Sequence, residues 1–350
     1  MLELLRELVE LESPTGDTAG MRDRMEAELA ALGARVEREG EHLRAELGGE
    51  GAPLLLLGHL DTVWDRGTLE RMPWRVENGR AYGPGAYDMK AGLVVMLDAI
   101  RRAQTQRALR VFLTADEEVG SPTARPLLER AAEGVAAALV VEPPSAGGAL
   151  KTARKGLGRF RVRVSGRAAH AGTSPGDGVS AVEELAYQVL RLHGLNDAES
   201  GVTVNVGVVR GGTRENVIAA EAEALLDVRV ARFADRDRLE DALRSLQPVL
   251  AGAELEVTGR WTRPPLERSE GSARLFARAR EHGRELGLDL NEAAAGGGSD
   301  GNLVGAVGVP VLDGLGAEGG GAHAADEHVV VDSLDVRAEL LARILREPGV

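Results

Sequence analysis

Five short segments of this sequence carry histidine and acidic side chains of the kind that bind metals or move protons. They are GHLDTV at 58–63, GPGAYDMK at 83–90, TADEEVGS at 114–121, VVEPPS at 140–145 and GAHAADEHV at 321–329. The chain has no cysteine, so a metal could be held only by His, Asp and Glu. A set of nitrogen and oxygen ligands without thiolate suits zinc.

Three of these segments directly follow apolar runs that we predict to be buried strands. The runs are Pro53 to Leu57, Leu109 to Leu113 and Ala136 to Val141. In open α/β sheets, ligands bind at the carboxyl ends of the strands. We therefore expect the side chains that follow the runs to meet at one edge of a sheet: His59, Asp61, Glu117, Glu118 and Glu142.

The residue types within the segments suit a hydrolytic metal site. Asp61 lies two positions after His59, and a nearby carboxylate is how zinc sites orient a histidine ligand. The adjacent acids Glu117 and Glu118 carry like charges, which repel each other unless a cation is close. One could bind metal while the other takes a proton from water. Taken singly, His59 could cap a turn, Asp88 could be a helix N-cap, and the paired acids could form a solvated turn.

The elements that would position these residues alternate between helix and strand over the first 150 positions. Helical spacing covers Leu2 to Leu11, Thr18 to Leu32, Met89 to Ala103 and Thr123 to Glu133. Gly33 stands where a helix C-terminal glycine belongs. Helices between fully apolar strands predict an α/β fold with both faces of the sheet covered.

The pattern changes after about residue 155. Phe160 to Val164, Val202 to Val208 and parts of Glu221 to Val230 alternate between apolar and polar residues, which predicts strands with one wet face. Helices near Ser180 to His193 and Arg236 to Leu250 complete an α+β unit, a four-stranded sheet with two helices on one side. Later segments return to the first pattern: a helix at Ala273 to Leu286, strands near Leu290 and at Val309 to Leu312, and a helix at Leu334 to Arg346. We predict a catalytic domain of residues 1–154 and 266–350, interrupted by an inserted domain at 155–265.

Composition excludes several classes of partner. The net charge of −13 argues against nucleic acid, because phosphate binding needs clustered Lys and Arg. The N-terminal segment lacks the apolar stretch of a signal peptide, and no run approaches the ~18 apolar residues of a membrane span. We expect no membrane partner and a cytoplasmic protein. His42, His193, His282 and His328 fit no motif, and we expect them at the surface.

The five segments, together with HAGTSPGDG at 170–178, resemble the co-catalytic zinc peptidase and deacylase family. This family includes acetylornithine deacetylase, succinyl-diaminopimelate desuccinylase, aminoacylase-1 and the bacterial glutamate carboxypeptidases, and the resemblance covers nearly the whole chain. It implies a zinc-exopeptidase-like catalytic domain with a central mixed sheet, an inserted dimerisation domain and a homodimer. It also implies two Zn²⁺ ions per chain, with Co²⁺ or Mn²⁺ as substitutes.

The resemblance assigns roles residue by residue. His59, Asp88 and Glu142 would hold one zinc ion, and Asp88, Glu118 and His323 the other, with a cis peptide bond between Asp88 and Met89. Asp61 would orient His59, and Glu117 would be the general base. His170 would polarise the scissile carbonyl in the partner chain's site; the alternative is that it caps a local turn.

The resemblance places substrate contacts at Asn216, Arg229, Gly297 and Gly298. The sequence reads Asn216-Val217-Ile218-Ala219 where the family has Pro in the fourth position, which weakens the assignment of Asn216. The planar guanidinium of Arg229 suits a substrate carboxylate.

The stretch 61–85 looks closest to the glutamate carboxypeptidases. We therefore expect an exopeptidase that acts on a small peptide and releases a C-terminal amino acid, with glutamate as one candidate. An N-acyl amino acid deacylase and a dipeptidase are the alternatives within the family. A metal-free binding protein of the same fold is disfavoured, because every ligand and the base are present.

Overall fold

The chain, seen here in a computed structural model that describes residues 1–347, divides into two compact units. The first comprises Met1–Ala153, Leu266–Ala295 and residues 299–347, and the second comprises Arg154–Pro265 and Gly296–Gly298. The assignment of catalysis to the first unit and dimerisation to the second stays a prediction.

Residues 1–347 contain nine α-helices and sixteen strands. The chain begins with α1 (Leu2–Glu10), α2 (Ala19–Ala31), β1 (Arg35–Glu39), β2 (His42–Leu47), β3 (Glu50–His59), β4 (Arg75–Glu77), β5 (Arg80–Tyr82), α3 (Ala91–Ala103), β6 (Arg107–Thr114), α4 (Arg125–Ala131), β7 (Ala137–Val140) and β8 (Leu150–Arg154). It continues with β9 (Gly156–Ser165), α5 (Ala181–His193), β10 (Thr203–Gly211), β11 (Glu221–Val230), α6 (Phe233–Arg244) and β12 (Glu254–Arg263). It ends with α7 (Glu270–Glu285), β13 (Glu292–Ala295), α8 (Asp300–Ala306), β14 (Val311–Leu312), β15 (Gly319–Gly320), β16 (His328–Val330) and α9 (Val331–Arg346).

The main sheet of the first unit is mixed, as predicted, with strand order β1-β2-β6-β3-β7-β14. Strand β3 lies parallel to both β6 and β7. Its side chains alternate between two buried clusters: Leu54 and Leu56 join the cluster that contains α3 and α9, whereas Leu55 and Leu57 join the cluster that contains α4 and α8. A strand buried on both faces explains the continuous apolar run.

Helix α3 lies close against the ends of β3 and β7 because glycines make room for it. A Cβ added at Gly92 would lie 1.9 Å from the main-chain oxygen of Val141. A Cβ at Gly58 would lie 2.7 Å from a side-chain methyl of Leu93. This close approach brings the segment before α3, which contains Asp88, to the edge where β3 ends.

The second unit contains an antiparallel sheet of order β10-β11-β9-β12 with helices α5 and α6. Phe160, Val162 and Val164 of β9 are buried, and the arginines between them are exposed. This confirms the predicted α+β architecture. Strand β12, which was not assigned to a segment from the sequence, is the fourth strand, and the helix predicted at 236–250 runs instead from Phe233 to Arg244.

The prediction that His42 lies at the surface is wrong. His42 begins β2, an interior strand of the main sheet, and is only 2% exposed. Its Nδ1 accepts a hydrogen bond from the main-chain N–H of Ala115 at 3.1 Å, and its Nε2 lies 3.1 Å from Oγ1 of Thr123. The charged residues of the β1–β2 hairpin conceal the strand pattern in the sequence.

In residues 1–347, no helix is long and apolar enough to cross a bilayer.

Candidate metal centre

The predicted metal ligands and base of the first unit lie where three neighbouring parallel strands end. His59 is the last residue of β3, which lies between β6 and β7 in the sheet. Glu117 and Glu118 follow β6, and Glu142 follows β7. Because the carboxyl ends of parallel strands meet at one edge, segments far apart in sequence converge there.

Asp88 lies between two histidines, with one carboxylate oxygen facing each. Its Oδ1 is 3.2 Å from Nε2 of His59, and its Oδ2 is 3.5 Å from Nε2 of His323. Glu142 lies 3.7 Å from the same nitrogen of His59, and Glu118 lies 3.5 Å from Nε2 of His323. The structure therefore brings together all five residues that the resemblance assigns as metal ligands.

Asp61 links a histidine and the paired glutamates. Nδ1 of His59 lies 2.8 Å from the main-chain oxygen of Asp61, which orients the ring with Nε2 toward the other acids. The Asp61 carboxylate accepts hydrogen bonds from the main-chain N–H groups of Glu117 and Glu118, at 3.1 and 3.2 Å, and from the hydroxyl of Thr15 at 2.7 Å. Asp61 therefore contacts His59 mainly through its carbonyl, while its carboxylate holds the turn of the paired glutamates.

The pKa values at this cluster reflect close opposite charges. Burial lowers the pKa of His59, but the carboxylates of Asp61 and Asp88 outweigh it and hold that pKa well above its usual value. Contacts with Asp88 and Glu118 raise the pKa of His323 to about 10. Burial raises the pKa of Asp88, but the two histidines outweigh this and hold it below its usual value. A cation bound at these imidazole nitrogens would take the place of a proton there.

The donor atoms fit a divalent cation. One ligand atom from each of His59, Asp88 and Glu118 lies within 4.8 Å of the others. In the described part of the chain, Oε1 of Glu118 is buried without a hydrogen-bond partner. A buried carboxylate oxygen without a hydrogen-bond partner, next to an oxygen that faces His323, is consistent with a metal ligand.

Asp88 does not serve as a helix N-cap. Helix α3 begins at Ala91 rather than at the predicted Met89, and its N-cap position is Lys90, with no side-chain hydrogen bond. Residues 86–90, with Gly85 as N-cap, form a wide turn that we call the Asp88 turn, in which the peptide bond between Asp88 and Met89 is cis, as the resemblance implies.

Glu327 is a residue of this centre that sequence reasoning missed. It is buried, and its carboxylate accepts hydrogen bonds from the main chain of the Asp88 turn and from the indole of Trp64. The sequence offers no spacing signal for these contacts, because the turn lies about 240 positions earlier in the chain.

The remaining predicted site residues belong to the second unit, where His170 and Asn216 are neighbours. Nδ1 of His170 accepts hydrogen bonds from the main-chain N–H groups of Gly172 and Thr173, at 3.1 and 3.3 Å. This is the local turn that the sequence offered as an alternative. It leaves Nε2 to carry the proton of a neutral ring, so an exposed N–H donor remains. The main-chain oxygen of Asn216 accepts from Ala171 at 3.0 Å.

Arg229 and the predicted glycines also lie together in the second unit. Arg229 pairs with Asp227 at 2.9 Å and donates to the main-chain oxygen of Gly296 at 2.8 Å. Nη1 of Arg154 donates to the main-chain oxygens of Gly297 and Gly298, at 3.2 and 3.1 Å. Two arginines therefore hold the glycine-rich loop through its carbonyls.

Residues 55–347 match the sequence profile of peptidase family M20/M25/M40. The chain belongs to this family. It is 33% identical to carboxypeptidase G2 from Pseudomonas sp. (strain RS-16), with 100% of this chain and 89% of that protein covered. It is 29% identical to succinyl-diaminopimelate desuccinylase from Thioalkalivibrio sulfidiphilus, with 99% and 98% covered.

A solved structure agrees on the fold of this M20/M25/M40 chain. The aminopeptidase PepT from Bacillus cereus superposes with a TM-score of 0.84 at 22% identity, covering 99% of this chain and 97% of that one. Family membership confirms the predicted resemblance and the predicted enzyme class, a metallohydrolase that acts on peptide or other linear amide bonds. Peptidases and deacylases both occur among the relatives, so family membership alone does not identify the substrate.

Proposed function

We propose that this chain is a zinc-dependent exopeptidase that hydrolyses the amide bond next to a free carboxylate and releases a C-terminal amino acid. The observation that supports it best is the position of Asp61. Its carboxylate holds the main chain of both Glu117, the proposed base, and Glu118, a proposed metal ligand. The proposed base and the proposed metal ligand are therefore held as adjacent residues by one side chain.

The proposed ligands divide into two sets that share Asp88. His59, Asp88 and Glu142 would hold one zinc ion, and Asp88, Glu118 and His323 the second. When bound, such ions polarise the scissile carbonyl and lower the pKa of the attacking water. Cobalt and manganese tolerate the same ligand types.

Residues of the chain itself would carry the proton transfers. Glu117 would take the proton of the attacking water and deliver it to the leaving amine, as a general base and then a general acid. The exposed Nε2–H of His170 would donate a hydrogen bond to the developing oxyanion. The turn that binds Nδ1 supports this role, because it fixes the ring and selects the tautomer.

Substrate recognition is proposed at the second unit. Arg229 would pair with the free carboxylate, and the loop at Gly297 and Gly298 would contact the substrate main chain. The exposed side chain of Asn216, next to His170, would also contact the substrate. These assignments rest on the resemblance, and the hydrogen bonds of Arg229 to Asp227 and Gly296 limit the guanidinium atoms that a substrate could reach.

We also propose a homodimer formed through the second unit. Strand β10 is an edge of its sheet, and its Val209 is 56% exposed. On α5, the helix that packs beside β10, Leu190 is 73% exposed. Exposed valine and leucine beside an unpaired strand edge suit a symmetric partner that covers both. His170 would then act in the partner chain's site.

A second candidate is an N-acyl amino acid deacylase. It is favoured by the likeness to succinyl-diaminopimelate desuccinylase over 98% of that protein. Both reactions cleave an amide next to a free carboxylate, so the same site chemistry serves either.

A substrate series separates the candidates. The zinc-loaded protein is incubated with N-benzoyl dipeptides, the same dipeptides as C-terminal amides, free dipeptides, and N-acetyl and N-succinyl amino acids. We expect release of the C-terminal amino acid from the N-blocked dipeptides and none from the amides. Cleavage of acyl amino acids alone would identify a deacylase, and cleavage of free dipeptides alone a dipeptidase. Absence of bound metal after zinc loading would overturn the enzyme proposal.

A further inference from the structure

Glu327 is a buried carboxylate that four N–H groups surround. It is 1% exposed. Its Oε1 accepts from the main-chain N–H groups of Tyr87 and Asp88, each at 3.0 Å. Its Oε2 accepts from the main-chain N–H of Gly85 at 2.9 Å and from the indole N–H of Trp64 at 2.7 Å. Two donors on each oxygen satisfy the acceptor capacity of an ionised carboxylate.

These four contacts connect three segments of the proposed metal centre. Glu327 itself lies four residues after His323. The three main-chain donors belong to the turn that presents Asp88, and Trp64 lies three residues after Asp61. A single side chain therefore ties together the loops that carry His323, Asp88 and Asp61.

The arrangement requires the charged, symmetric form of the side chain. The hydrogen bond from Gly85 is fully buried and the other three are partly buried, and a buried donor left without an acceptor destabilises the folded state. A glutamine of the same shape offers one oxygen, and its amide N–H groups would point at two donors. Either orientation of the amide therefore breaks half of the contacts. Burial lowers the pKa of the nearby Lys90 to about 7, and the charge of Glu327 acts against that lowering.

We infer that Glu327 is a positioning residue for the metal centre: it sets the Asp88 carboxylate in place between His59 and His323 before any metal binds. It does so through the main-chain N–H of Asp88 itself and through the two neighbouring donors of the same turn. This inference rests on the proposed function, because it takes Asp88 to be the shared ligand. Residues that orient metal ligands affect affinity by roughly 10- to 100-fold when changed.

The test compares two buried glutamates that make similar contacts. Glu184, in the second unit, is 0% exposed and accepts hydrogen bonds from the main-chain N–H groups of Val249 and Leu250 and from Gln188. Glu327→Gln and Glu184→Gln therefore remove equivalent buried acceptors, but only Glu327 contacts the Asp88 turn. Zinc affinity is measured for each by competition with a chelator, and Tm is measured with and without saturating zinc.

We expect Glu327→Gln to bind zinc roughly 10- to 100-fold more weakly than wild type, and to show a smaller rise in Tm on zinc addition. Glu184→Gln should lower the Tm of the metal-free protein yet keep the wild-type zinc affinity and the wild-type rise in Tm. Equal zinc affinity in Glu327→Gln and wild type would overturn the inference, even if Glu327→Gln lowers Tm.

A milder variant keeps the test decisive if Glu327→Gln does not fold. Trp64→Phe keeps an aromatic ring and removes one of the four donors, so we expect a smaller but measurable loss of zinc affinity. Unchanged affinity in Trp64→Phe, with Glu327→Gln unfolded, would reduce Glu327 to a folding residue and overturn the positioning role. If the wild-type protein binds no zinc, the proposed function is overturned. If the wild-type protein binds zinc and the variants bind it equally well, only this inference is overturned.

Discussion

The carboxylate of Asp61 accepts a hydrogen bond from the main-chain N–H of Glu117, with 3.1 Å between Oδ1 and the nitrogen. The same side chain accepts from Glu118, and the main-chain oxygen of Asp61 lies 2.8 Å from Nδ1 of His59. Burial raises the pKa of Asp61, but His59 and Thr15 outweigh it and keep that pKa below its usual value. Asp61 therefore stays ionised and holds a proposed ligand and the proposed base in one arrangement.

Asp61→Asn should reduce kcat roughly 10- to 100-fold, because one of its carboxylate oxygens becomes an N–H donor that faces the main-chain N–H groups of the glutamates. Steady-state kinetics and zinc affinity on the same preparation measure the effect. Thr15→Ala is the matched control, because it removes one hydrogen bond to Asp61 and keeps the bonds between Asp61 and the main chain of Glu117 and Glu118. Its loss in kcat should therefore be much smaller. Equal losses in the two variants would contradict this account.

Glu117→Gln should impair catalysis, whereas Glu118→Gln should impair zinc binding. Glu117→Gln should bind zinc normally but lose roughly 10²- to 10⁴-fold in kcat, since an amide cannot accept the water proton. Glu118→Gln should bind less zinc, because it lacks the carboxylate that lies 3.5 Å from His323. Metal content by mass spectrometry, paired with kcat, distinguishes them. A fully active Glu117→Gln protein with normal zinc would mean that another residue is the base.

Mixed dimers should recover activity if His170 serves the partner chain. His170→Ala and Glu117→Ala, each nearly inactive, are unfolded and refolded together. Random pairing makes half of the dimers mixed, and each mixed dimer has one site with an intact Glu117 and the partner's intact His170, so roughly a quarter of wild-type activity should return.

The control for this experiment is each variant refolded alone. Native mass spectrometry confirms that mixed dimers form. If they form and activity stays at the level of the single variants, His170 acts in its own chain or has no catalytic part.

Glu184 should stabilise the protein in a pH-dependent way. Burial raises its pKa, but the N–H groups of Leu250, Gln188 and Val249 outweigh this and hold it below the ordinary value of 4.5. A lowered folded-state pKa means that the contribution is fully present above about pH 4.5 and is lost as pH falls through the folded-state value.

Urea unfolding of metal-free wild type and Glu184→Gln measures this contribution as a difference. At pH 7 the free energy of unfolding of the variant should be lower by about 1–3 kcal/mol, the cost of a buried donor without its acceptor. The difference should shrink below pH 4.5, as the wild-type carboxyl becomes protonated. A difference that is constant from pH 7 to pH 3 would show that the charge of Glu184 is not involved.

Much of the metal centre could be predicted from sequence because it depends on strand ends. The apolar runs before His59, Glu117 and Glu142 predict buried parallel strands, and parallel strands bring their carboxyl ends to one edge. Asp88 and His323 lie in glycine-rich loops without such a signal, and only the resemblance to the peptidase and deacylase family assigned them. Strict alternation likewise predicted the sheet of the second unit, although the charged strands β1, β2 and β12 were not recognised.

Tertiary structure alone decided the contacts that run between a side chain and a distant main chain. His42 is buried because β2 lies inside the sheet, and its partner is the N–H of Ala115. Glu327 binds a turn about 240 residues earlier. Main-chain N–H groups are the same at every non-proline residue, so the sequence carries no record of which ones a buried carboxylate or imidazole will meet. Side-chain types and spacing determined which residues could bind a metal, and the packing of strands, turns and loops decided how those residues are held.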